Sequence, residues 1–97
     1  MINDLHLLKV FCDKNVYSKY INLVQFKILD YHIKIILQDF QEYYNVFDRN
    51  LTDFAEFYTW FLQVRHPNLP EATQIIYKEI IDKLSTVETA LTDEILK

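Results

Sequence analysis

From position 26 to 47 the chain reads FKILDYHIKIILQDFQEYYNVF, and its apolar residues recur at steps of three and four: Leu29, Ile33, Ile36, Phe40, Tyr44 and Phe47. That period places them on one stripe of an α-helix. Lys27, Lys34, Gln38, Gln41 and Asn45 fall on the opposite side, and neither Gly nor Pro interrupts the run. The pattern predicts one long helix over residues 26–47, against which the shorter helices bury their own stripes. A thinner ridge, Ile28, Ile35 and Val46 with Tyr31 further round, lies to one side of the main stripe. Either other helices of the same domain cover it, or another subunit does.

The same reading places shorter helices on both sides. A first helix is expected over residues 4–12, capped by Asn3 or Asp4, with Leu5, Leu8, Phe11 and Cys12 inward and Leu7 and Val10 flanking. Asp13-Lys14-Asn15 reads as a break. A short helix over residues 16–23 follows, with Val16, Tyr17, Tyr20 and Ile21 as its apolar side. Beyond the polar turn Asp48-Arg49-Asn50, Thr52 is the expected N-cap of a helix over residues 53–65, which buries Phe54, Phe57, Tyr58, Phe61 and Leu62. Asp53 and Glu56 sit in its first turn, where negative charge suits the helix dipole. Trp60 lies beside this stripe, as an edge of the core or as an interface anchor, a role in which Trp is enriched. His66-Pro67 stops the helix.

Pro70 suits the first position of a last helix over residues 70–84. Its expected inner face is Ala72, Thr73, Ile76, Ile80 and Leu84, widened by Ile75 and Ile81. Ser85 to Glu88 matches a capping box, so residues 85–97 read as a helical extension or as a linker toward a further domain. The expected fold class is all-α: a compact bundle of about five to six helices around one long central helix, with a C-terminal tail. Residues 1–84 form the interaction domain in this reading.

Composition narrows the function more than it names it. The 97 residues fit one domain, and 51% hydrophobic with 25% charged residues is globular. Aromatics make up 15%, a heavy load for so small a core, which points to some at the surface or in an interface. Glycine is absent, so neither a P-loop nor a dinucleotide fingerprint is present, and tight Asn-Gly hairpins are excluded. The net charge is −4 and the basic residues are scattered among acids, which disfavours direct nucleic-acid binding. Cys12 is the single cysteine, in keeping with a reducing cytoplasm. No apolar run of about 18 residues offers a membrane span, and the N-terminus lacks the pattern of a signal peptide.

Candidate chemistry is sparse. His6, His32 and His66 match no metal-ligand spacing. His32, beside the main stripe, is read as a packing residue, and Cys12 as a small core residue. A small enzyme built on Cys12 and a histidine is the least supported reading. Asp39 with Glu42, and Glu79 with Asp82, are carboxylate pairs one turn apart, expected on solvated faces. Arg65 falls inside the apolar arc of its helix and is expected to snorkel, to cap carbonyls or to reach a partner's carboxylate. The expectation is a chain with no catalytic residues, no cofactor and no metal. Ile28, Tyr31, Ile35, Trp60 and Arg65 are its candidate protein interface.

In order along the chain, Leu7-Leu8-Lys9-Val10-Phe11, then VYSKYINLV over 16–24, a helix ending in Phe40-Gln41-Glu42-Tyr43-Tyr44, and Leu51-Thr52 opening the next helix resemble the N-terminal helical domain of phage replicative DNA helicases of the DnaB type. The stretch WFLQVRHPNLPEATQIIYKEII over 60–81 resembles the version in those phage proteins, and residues 92–97 resemble the linker that leads to their ATPase domain. The Walker motifs of that ATPase half are missing here. The resemblance implies a cytoplasmic, non-catalytic domain that self-associates as a dimer or larger, forms a collar on the hexamer, or docks a primase or helicase loader. The competing reading is a small stand-alone phage or mobile-element protein that binds and inhibits a host protein.

Overall fold

The centre of the fold is the helix Tyr31–Phe47, the longest in the computed structural model, which describes residues 4–87. It is shorter than the expected 26–47. Asp30 adopts an extended backbone and its carboxylate accepts the His32 backbone N–H, so it caps the helix and fixes its first residue. Upstream, Phe26–Ile28 forms a 3₁₀ turn, and Leu29 is only partly buried, outside the helix. The apolar period continued through residues 26–30, but a capping Asp on the same register ended the helix there.

Four further helices surround this one among the described residues, giving the all-α bundle the pattern predicts. In chain order we call them α1 (Asp4–Val10), α2 (Lys14–Tyr20), α3 (Tyr31–Phe47), α4 (Phe54–Trp60) and α5 (Glu71–Leu84). Asp13, expected as part of a break, caps α2 by accepting the N–H groups of Asn15 and Val16. At the start of α4 the cap is Asp53, which accepts the Glu56 N–H, and not Thr52. The chain has no glycine for the left-handed cap that ends many helices. Asp48 takes that conformation at the end of α3, with φ of 50°, and its N–H reaches the Tyr44 carbonyl.

The core runs along α3. Ile33, Ile36, Leu37, Phe40, Tyr43 and Tyr44 are buried and meet Leu8, Phe11 and Cys12 from the first helix region, Tyr17 from α2 and Phe57 from α4. Edge-to-face ring contacts join the elements: Phe40 to Phe57 at 5.3 Å, Tyr17 to Tyr44 at 5.3 Å and Phe11 to Tyr17 at 5.7 Å. Tyr17 donates from its hydroxyl to the Leu37 carbonyl at 3.0 Å, and Tyr44 to the Phe11 carbonyl. These hydroxyls let aromatic residues enter the core without an unpaired polar atom. The loop after α3 is tied to the turn between α1 and α2 by Leu51 N–H to the Cys12 carbonyl at 2.9 Å, and by Lys14 N–H to Asn50 at 2.9 Å.

The inward face of α5 differs from the expected one. Tyr77, Ile81 and Leu84 are fully buried, whereas Ile76 is 41% and Ile75 55% exposed. Tyr77 drives the rotation: its ring meets His32 of α3 and Phe61, both at 4.9 Å, and centres that side of the helix on the core. A count of aliphatic residues alone had aimed the face toward Ile76. After Leu84 the hydroxyls of Ser85 and Thr86 donate to the carbonyls of Asp82 and Lys83, and α5 ends there. Glu88, the other half of the expected capping box, and most of the 85–97 tail lie outside the described residues.

Candidate functional site

The main polar feature of the interior is Asp39, 2% exposed on α3. It was expected with Glu42 on a solvated face. It lies instead on the flank of the buried arc, between Ile36 and Tyr43 one turn to either side. Two side chains from the segment that follows α4 face it. Arg65 Nε donates to Oδ1 at 3.2 Å, and His66 Nε2 lies 2.6 Å from Oδ2. A buried carboxylate is tolerated only with such partners.

The backbone that brings them in is unusual. Past Trp60 the helix opens into a π turn, Phe61–Arg65, and the His66 N–H bonds to the Phe61 carbonyl at 2.9 Å, five residues back. The wider turn places Arg65 and His66 side by side toward α3. Phe61, fully buried, meets the His66 ring at 4.5 Å in a tilted contact. Arg65 thus reaches a carboxylate of its own chain, 26 positions away. Nothing in the local sequence names that partner. The available signal was an acid inside an apolar arc, together with an Arg-His pair at a helix end.

The other residues of the candidate interface separate into two groups. Ile28 is 78% and Tyr31 65% exposed, the first at the end of the 3₁₀ turn and the second at the first residue of α3. Ile35 and Trp60 are half-buried and pack on the core, and Trp60 meets Tyr43, Phe57 and Phe47 at 5.8 to 5.9 Å. Trp60 also borders a shallow groove on the outer side of α4, with Ala55, Thr59, Gln63 and Val64. The structure therefore does not unite the five residues in one patch.

Cys12 is buried, and its thiol donates to the Leu8 carbonyl at 3.4 Å. Burial pushes the thiol up to about 12, against a small opposing pull from Lys9. A thiol held neutral in this way is a poor nucleophile. The His32 ring is packed between Tyr31 at 5.5 Å and Tyr77 at 4.9 Å, and its buried Nδ1 has no hydrogen-bond partner among the described residues. Among the described residues no group of three or more His, Cys, Asp or Glu could hold a metal ion, and no helix is long and apolar enough to cross a membrane.

Burial also raises four tyrosines: Tyr17 and Tyr77 from 10.0 to about 12, with Tyr43 and Tyr44 shifted in the same direction. These groups, with Cys12, hold their protons more tightly folded than unfolded. Their contribution to stability is therefore complete below the unfolded values of 9.0 for the thiol and 10.0 for the phenols, and is lost as pH rises toward about 12. Denaturant midpoints should stay level to about pH 9 and then fall steeply. Tyr17→Phe should reduce that slope. A midpoint unchanged at about pH 11.5 would show that these hydroxyls are not buried.

Fold and cluster together define an all-helical bundle with an internal ion-paired carboxylate. Beyond that class the comparisons add no relative: no family model matches the chain, and no curated protein or solved structure does.

Proposed function

We propose that the chain is a non-catalytic protein-interaction and oligomerisation domain of a phage DNA-replication helicase, which forms a collar or docks a primase or loader in the host cytoplasm. The single observation that carries an interaction role is the pair Ile28 and Tyr31. Both stand exposed beside a core that is complete without them. Exposed large apolar side chains are individually ordinary; two that flank the capped start of the central helix, three positions apart in the chain, are the proposed contact. The helicase assignment rests on the ordered sequence resemblance and on nothing else.

Sedimentation and light scattering at tens of micromolar test the reading. A dimer or larger species is expected, and Ile28→Lys with Tyr31→Ser should return it to monomer while leaving the helical circular dichroism unchanged. The same two substitutions should weaken any complex with the primase or loader. A wild-type chain that stays monomeric and binds neither protein would defeat the proposal.

A further inference from the structure

We infer that the Asp39 clamp is a conformational latch that selects the helix register of the segment after Trp60, and with it the shape of the outer groove of α4. The argument starts from the turn itself. Phe61–Arg65 carries ordinary helix-forming residues, and neither Gly nor Pro forces a wider turn within it. Left to local preference, FLQVR would continue α4 with bonds four residues back, since the π turn is the rare form and occurs as single inserted turns. What holds the wider turn is external: the 3.2 Å and 2.6 Å bonds from Arg65 and His66 to a carboxylate on another helix, itself 3% exposed at the side chain.

In the α register the residues after Phe61 turn further about the axis for each step of chain. Arg65 and His66 then no longer face Asp39 together. Val64, now 63% exposed on the groove it shares with Trp60 and Gln63, is re-aimed. The segment is thus a two-state element in which a buried charge on α3 sets the surface that α4 presents. Pro67 immediately after His66 confines the change to this turn, because it cannot extend the helix. The inference does not depend on the helicase reading or on any partner.

Asp39→Asn tests it, since the amide keeps the shape and removes the charge. Scalar couplings across the hydrogen bond, read by NMR, should show the residue-66 N–H bonded to the Phe61 carbonyl in the wild type and to the Leu62 carbonyl in the variant. Amide exchange at positions 65 and 66 should rise about tenfold or more, while exchange in the middle of α3 is unaltered. His66→Gln is the second variant: it keeps the Arg65 bond, so the fold is retained, and it should show both registers. A merely structural role for Asp39 would lower stability without moving the hydrogen bond. Persistence of the Phe61 bond as the sole register in both folded variants would overturn the latch.

Discussion

Phe40→Ala should destabilise the protein by about 3–5 kcal/mol, the range for removing a large aromatic ring from a packed interior. The residue is 0% exposed at the middle of α3, and its ring packs on Phe57 of α4 at 5.3 Å and on Tyr44 at 6.4 Å. A domain of this size has about 5–15 kcal/mol in total, so the loss takes a large share of its stability. Urea unfolding followed by circular dichroism reads the effect as a lower midpoint with little change in slope. Tyr31→Ala on the same helix, at a side chain 65% exposed, should shift the midpoint by less than about 0.5 kcal/mol. Equal effects at the two positions would mean that α3 does not turn this stripe inward.

The second large effect concerns the carboxylate. Arg65→Met with His66→Phe keeps the bulk of both side chains and removes both partners, leaving the Asp39 carboxyl buried and unpaired. The expected loss is about 3–5 kcal/mol, as for other broken interior ion pairs. Adding Asp39→Leu should recover most of it, because a well-packed apolar trio of similar volume is commonly no less stable than the ions it replaces. Thermal or urea midpoints of wild type, double and triple variants decide the matter. A double variant as stable as wild type would show that water reaches Asp39.

The exposed ion pairs need no such expectation. In Lys14–Asp48 and Lys78–Asp82 the carboxylate is well open to solvent, where salt and side-chain entropy erase most of the gain. The contrast with Asp39 is one of environment. The same charges attract far more strongly where water is excluded, and they are also far more costly to leave alone there.

Helix class, order and approximate extent were legible because burial on one side imposes a period near 3.6 on the residue types. Ile33, Ile36, Phe40 and Tyr44 follow that period and are buried, and Gln38, Gln41 and Asn45 oppose them and are exposed. The stops at His66-Pro67 and at Asp48-Arg49-Asn50 were legible as well, since they depend on local backbone chemistry. Misplaced ends trace to competing caps: Asp30 cut short the run from residue 26, Asp13 turned an expected break into a helix start, and Asp53 displaced Thr52.

The sequence by itself determined an all-helical chain, its central segment and most of the residues that face inward, because those are properties of near neighbours along the backbone. Only the tertiary structure decided which carboxylate is buried and which side chains answer it. Asp39 and His66 stand 27 positions apart, and their meeting depends on how α4 opens into a wider turn and crosses α3. The turn of α5 toward Tyr77 has the same origin. An aromatic ring takes the place where two other rings leave room for it, and that room exists only once the helices have packed.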